Sequence, residues 1–239
     1  MQYGTYFRSI PLAKKFALIS STGASVVRNV YENSLRTNFD LHLVITDRVC
    51  GASEFAKENG IPHIQVNADD VSSLSIKIEN ALILHGITYA YLFFTRLLRG
   101  NILKSYKNKI INFHPSLLPA CPGLHGFEDT LRSGALLAGS TVHFIDDGMD
   151  TGDQIIQTFT PTIGLDTLRL RHIIFAQQCA ALYDIHRELQ VANDLSAMRL
   201  RDCQLAQGFC PNINDESLQL YRSFFSSGSS LNAGVEEFS

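Results

Sequence analysis

Residues 111–125 read INFHPSLLPACPGLH. With Lys109 and Ile110 they begin as a short apolar run, carry an amide at Asn112 and an imidazole at His114, and then break into prolines. Alternate residues of a strand share one face, so the two polar side chains leave the strand tip on the same side. A strand that is otherwise apolar throughout belongs to a parallel sheet covered by helices on both faces. Ligands bind such sheets beyond the carboxyl ends of the strands, which is where Asn112 and His114 fall.

Upstream, residues 16–20 (FALIS), 41–46 (LHLVIT), 63–66 (HIQV) and 89–94 (YAYLFF) are further short apolar strands. Between them the apolar residues recur at helical spacing over 24–34, 52–58 and 71–85, the second helix closed by Asn59-Gly60. Downstream, a helix over 127–133 precedes two strands, 140–146 and 153–161, joined by the turn DGMDTG, and then a long helix over 165–190. The alternation predicts an α/β fold: a doubly wound, mostly parallel, Rossmann-like sheet with an antiparallel C-terminal strand pair and a long C-terminal helix. The expected organisation is an N-terminal extension (1–15), one domain (16–190) and a polar appendage (191–239) with a short helix over 216–224 and an unstructured end.

Composition narrows the function class. The 239 residues are 45% hydrophobic and 18% charged, with a net charge of −3, which fits a globular protein and speaks against nucleic acid as a partner. No apolar run approaches the length of a membrane span, and the first twenty residues lack a secretory signal pattern. The five cysteines are scattered without a C-x-x-C pair, so neither a disulfide framework nor a zinc site is expected, and no metal. A cytoplasmic location follows.

Three polar groups could carry chemistry: Asn112, His114 and an acid from the 145–152 segment IDDGMDTG, with Asp150 preferred. An imidazole can give and take a proton near neutrality, an amide can stabilise an oxyanion, and a carboxylate can hold the imidazole charged or relay a proton. No Ser or Cys nucleophile shares the strand end, which suggests direct acyl transfer between two bound substrates. The alternative is structural: a strand-end histidine held by hydrogen bonds and an aspartate serving its turn. Residues 21–25 (STGAS) offer backbone N–H groups at a helix start, either an anion site or a tight turn.

INFHPSLLPACPGLHG followed by STVHFIDDGMDTGDQIIQ closely resembles the folate-dependent formyltransferases, in particular their glycinamide ribonucleotide (GAR) transformylase branch. The resemblance spans residues 16–190. It implies a Rossmann-like formyltransferase fold, Asn112, His114 and Asp150 as the catalytic trio, and N10-formyltetrahydrofolate as the formyl donor. It further implies that Phe94, Thr95, Arg96, Leu97 and Leu98 line the pterin pocket. Asp146, Asp147, Gly148, Met149 and Asp150 would form its other wall. The loop LPACPGLHG resembles the family's mobile active-site loop, with hinge points at Gly123 and Gly126. His143, on the adjoining strand, is expected to be structural.

The acceptor side departs from that resemblance. Gly23, Ala24 and Ser25 would face the acceptor, but Ser25 replaces the branch's phosphate-binding asparagine. Cys179 and Ala180 fall where a ribose-contacting glutamate–histidine pair is expected, and Lys77 is the nearest counterpart of a missing arginine. Lost buried polar partners cost about 1–3 kcal/mol each. The expected acceptor is therefore a small amine or hydroxylamine other than GAR, such as N5-hydroxyornithine in siderophore biosynthesis. The alternatives are GAR itself, in purine biosynthesis with a divergent phosphate site, an amino-sugar nucleotide, or a non-catalytic folate-binding protein. The expected partners are these small molecules, with the chain a monomer or homodimer and no membrane or nucleic acid involved.

Overall fold

Apolar strands with no preferred face need cover on both sides, and the computed structural model shows how this chain supplies it. It describes residues 13–33 and 38–192, with residues 195 and 219. The strands are β1 (Phe16–Ser20), β2 (Leu43–Thr46), β3 (His63–Gln65), β4 (Tyr89–Phe93), β5 (Ile110–His114), β6 (Leu137–Phe144) and β7 (Gln154–Pro161). The helices are α1 (Ser25–Glu32), α2 (Gly51–Glu58), α3 (Val71–Leu84), α4 (Ile102–Ser105), α5 (Gly126–Arg132) and α6 (Thr167–Val191). All seven strands form one sheet in the order β3-β2-β1-β4-β5-β6-β7. The pairs from β3 through β5 are parallel, and β6 and β7 run antiparallel.

Strand β1 shows the two-sided burial directly. Phe16 and Leu18 pack with Val27 of α1, Phe55 of α2 and Leu182 of α6, while Ala17 and Ile19 pack with Leu74 and Ile78 of α3 and Ile102 of α4. Strand order reverses between β1 and β4, so the crevice at their carboxyl ends is the topological switch point of the sheet. Asp70 and Asp166 cap α3 and α6 by accepting hydrogen bonds from the N–H groups of Ser73 and Arg169, satisfying donors that a helix start leaves free. Lys14 ties the start of the domain to the end of α6 by donating to the carbonyls of Leu189 and Ala192.

The α/β architecture agrees with the sequence expectation, including the antiparallel pair and the long helix. Two details differ. Helix α4 has four residues, too few to show a period, and β6 begins at Leu137 rather than 140 because its first residues pair with the end of β7, Leu137 opposite Pro161. Apart from residue 219, which is helical, the helix expected over 216–224 and the rest of the appendage beyond residue 195 lie outside the described residues, as do residues 1–12. Among the described residues no helix is long and apolar enough to cross a membrane.

Candidate active site

Strand β5 delivers Asn112 half-buried and His114 only 4% exposed at its carboxyl end. In register, Asn112 stands between Leu92 of β4 and His143 of β6. The segment after β6 folds back, with Asp150 in the left-handed region at φ 56°, a conformation that aspartate tolerates better than most residues. That return places the Asp150 carboxylate among the other polar groups. Its Oδ2 accepts the Gly123 N–H at 2.7 Å and lies 3.4 Å from His114 Nδ1. Its Oδ1 accepts from Asn112 Nδ2 at 3.4 Å and lies 3.5 Å from His143 Nε2.

The contacts fix the proton on His114. Its Nε2 is 2.8 Å from the Cys121 carbonyl, which can only accept, so Nε2 carries the hydrogen and Nδ1 faces Asp150. Burial is the largest influence on His114 and pulls its pKa below the ordinary value, against the Cys121 carbonyl and the Asp150 charge. Burial alone would raise the Asp150 carboxyl. Hydrogen bonds from His143 and the Gly123 N–H, with the His114 and His143 charges, outweigh it and hold the carboxyl below its ordinary value. At rest the pair is therefore a carboxylate beside a neutral imidazole with an open nitrogen.

The loop that follows β5 is stapled in its first half. Ser116 is fully buried and donates to the carbonyls of Ala120 and Cys121, while the Leu118 N–H donates to Thr141 Oγ1 and its carbonyl accepts from Gln157. Gly126 opens α5 against the His114 ring: a Cβ there would lie 2.6 Å from Nε2. Its role is to leave room for the imidazole.

These groups line one cavity of about 400 Å³. Phe94, Thr95, Arg96, Leu97 and Leu98 form one wall, and Asp146, Gly148, Met149 and Asp150 another. Gly23, Ala24 and Ser25 close the end beside β1. Asp147 is exposed and does not reach the cavity. Lys77 is also exposed and donates to the Asn67 carbonyl. Leu97, Leu124 and Met149 keep exposed apolar surface at the mouth, a fitting bed for a flat aromatic ring.

The structure corrects the assignment of Cys179 to the acceptor. Its side chain is fully buried, with Sγ 3.9 Å from the Val26 carbonyl, and burial pushes its thiol pKa well up. One residue along a helix turns the side chain by about 100°, and Gln178 takes the cavity-facing position. Gln178 Nε2 donates to Ser140 Oγ at 3.1 Å, and that hydroxyl donates to the His114 carbonyl at 3.0 Å. His143, expected to be structural, is also in the cavity wall, 3.0 Å from Asn112 Nδ2.

The formyl transferase family profile matches residues 14–171. The chain belongs to the formyl transferase family. The phosphoribosylglycinamide formyltransferase of Bacillus subtilis is 33% identical to this formyltransferase over 162 residues, 65% of this chain and 83% of that protein. The chloroplastic phosphoribosylglycinamide formyltransferase of Arabidopsis thaliana is 31% identical over 170 residues, and the matched region spans 66% of this chain and 58% of that longer protein. The solved phosphoribosylglycinamide formyltransferase of Bacillus halodurans superposes with a TM-score of 0.70 at 26% identity, covering 76% of this chain and 97% of that one.

These relatives overturn the expectation of an acceptor other than GAR, and with it the link to siderophore biosynthesis. The physical reason lies in how an anion is held. The loop ahead of α1 keeps its backbone N–H groups at a helix start whatever side chains it carries, and such groups bind phosphate without them. Ser25 keeps a hydroxyl at the helix start, and Gln178 lines the cavity next to the buried Cys179.

Proposed function

We propose that this formyltransferase moves the formyl group of N10-formyltetrahydrofolate to the primary amine of GAR. The observation that carries the reading is the meeting of Asn112, His114 and Asp150 in one cavity, between the 94–98 and 146–150 walls and the helix-start loop at 22–25. The apolar mouth suits the donor's aromatic rings, and the loop before α1 suits the acceptor's phosphate.

In the mechanism, the cavity holds the amine against the formyl carbon. As the new C–N bond forms, the carbonyl electron pair moves to oxygen, where the Asn112 amide and the His114 ring stabilise it. Asp150 takes the amine proton and shares it with the open Nδ1 of His114, 3.4 Å away. The imidazolium so formed appears only as negative charge develops beside it, so its stabilisation favours the transition state over the bound substrates. The proton then passes to N10 as the C–N10 bond breaks, leaving tetrahydrofolate and the N-formylated amine. Burial, which keeps His114 neutral at rest, is what leaves Nδ1 free for this step.

The free thiols of Cys50, Cys121 and Cys179 suit a reducing, cytoplasm-like compartment. The test is the His114→Ala variant, assayed by the absorbance change of folate release with GAR as acceptor. Turnover should vanish while folate binding persists. Undiminished turnover in that variant would remove the reading.

A further inference from the structure

The loop between β5 and α5 is pinned at its start by Ser116 and Leu118, and its middle touches the reacting groups. The Cys121 carbonyl accepts from His114 Nε2 at 2.8 Å, and the Gly123 N–H donates to Asp150 Oδ2 at 2.7 Å. Its far end is α5, where a Cβ on Gly126 would lie 2.6 Å from the same Nε2. The place where α5 rests therefore decides where the second half of the loop rests.

Helix α5 has seven residues, too few to persist in water without packing. It meets β6 and α6 through a small cluster of Phe127, Ala138, Leu170 and Ile174. Arg171 of α6 adds a second hold. Its guanidinium lies over the Phe127 ring, 4.4 Å from the centroid, and donates to Glu128 Oε1 at 2.8 Å. Those two residues directly follow Gly126. An exposed ion pair contributes little by itself, but the Arg171 side chain is only 22% exposed and one flat group serves both contacts. A planar guanidinium can stack on an aromatic face and aim a donor at a carboxylate at once; a lysine ammonium lacks the plane to do so.

We propose that Arg171 is a positioning residue for formyl transfer. By gripping Phe127 and Glu128 it holds Gly126 against the His114 ring, and so keeps the Cys121 carbonyl and the Gly123 N–H on their partners. The inference rests on the formyl-transfer reading above, and it extends that reading to a cation outside the cavity lining. The Cys121 carbonyl holds the Nε2 edge of His114, and that hold turns Nδ1 toward Asp150. A loosened α5 lets the carbonyl drift, and the ring loses the contact that orients it. The 94–98 wall of the cavity belongs to other elements, so turnover should suffer more than folate binding.

Kinetics and amide hydrogen exchange test this together. Arg171→Ala should lower kcat about tenfold, a partial version of the loss from displacing a reacting group. KM for the folate should stay within about threefold. Exchange should quicken at 120–126 and hold steady in β5 and β6. Arg171→Lys, which keeps the charge without the plane, should recover part of the loss. The deciding experiment is a double-mutant cycle with Gly126→Ala. With the clamp intact, the added methyl forces the imidazole to retreat; without it, α5 itself can back away. The two substitutions together should therefore cost at least about threefold less in kcat than the product of their separate losses. Unchanged kcat in folded Arg171→Ala, wild-type exchange at 120–126, or losses that simply multiply would each overturn the proposal. Should Arg171→Ala fail to fold, Arg171→Lys and Glu128→Gln take its place in the cycle. Absence of formyl transfer in the wild type would defeat the underlying reading, and exchange at 120–126 would still decide the clamp.

Discussion

Replacing Gly126 by alanine moves His114 without altering any group of the proposed trio. A Cβ at this position lies 2.6 Å from His114 Nε2, 2.9 Å from Cε1 and 3.0 Å from the Cys121 carbonyl oxygen. Heavy atoms in ordinary contact stand about 3.5–4.0 Å apart, so the imidazole has to retreat by roughly 1 Å. The methyl crowds both ends of the 2.8 Å bond between Nε2 and the Cys121 carbonyl, and the ring cannot escape by shifting toward that oxygen. Overpacking of this kind costs about 1–3 kcal/mol of stability, which a domain of this size survives. A displacement of about 1 Å at a reacting group costs on the order of 10²-fold in rate. Gly126→Ala should therefore fold, as circular dichroism would show, and lose about 100-fold in kcat. Its KM for the folate should change by less than about threefold, because the walls at 94–98 and 146–150 are untouched. The assay is absorbance of folate release at saturating substrates. A folded variant within about threefold of wild-type kcat would refute the claim that the position of His114 sets the rate.

Asn112→Ala removes the amide proposed to meet the oxyanion and should lower kcat by about 10²–10³-fold; steady-state kinetics showing a change in KM alone would assign Asn112 to binding. Burial holds His114 below its ordinary pKa and Asp150 is also held low, so the reactive neutral imidazole and carboxylate persist as pH falls from neutrality. The pH profile of kcat should be flat near neutrality with an acid limb below 6.5, and Asp150→Asn, which removes a charge that supports the imidazolium, should move the limb lower still. A limb above that value would contradict the assignment. Tyr91→Phe removes the hydroxyl bonded at 2.8 Å to His186 Nδ1 in the core and should cost about 1–3 kcal/mol in urea unfolding while leaving kcat unchanged.

Much of this was legible in the sequence because the decisive signals are local. Asn112 and His114 share a face by strand geometry alone, and the apolar runs of β1, β4 and β5 announce a sheet covered on both sides. The position of Asp150 beside them needed only the turn that returns the chain from β6. What was hidden depends on angles rather than spacing. Gln178 and Cys179 are neighbours in α6, and one helical step separates a cavity wall from the core, so an alignment offset by one residue exchanges their roles. The sequence signal was a glutamine set among the apolar residues of a buried helix. His143 reads as an interior strand residue until its contact with Asn112 in the cavity wall is seen. The acceptor was misjudged because missing side-chain donors were weighed more heavily than the backbone N–H groups of the loop before α1, which remain when serine stands in place of asparagine at position 25.

The central claim is that the Asn112, His114 and Asp150 cavity passes a formyl group from folate to GAR. Its most direct test uses N10-formyltetrahydrofolate labelled with carbon-13 in the formyl group, incubated with the wild-type chain and GAR, with the products read by mass spectrometry. The account predicts labelled formyl-GAR in amounts equal to the tetrahydrofolate released, and none with His114→Ala. Release of folate without label on GAR, or label on another amine in preference to GAR, would contradict it.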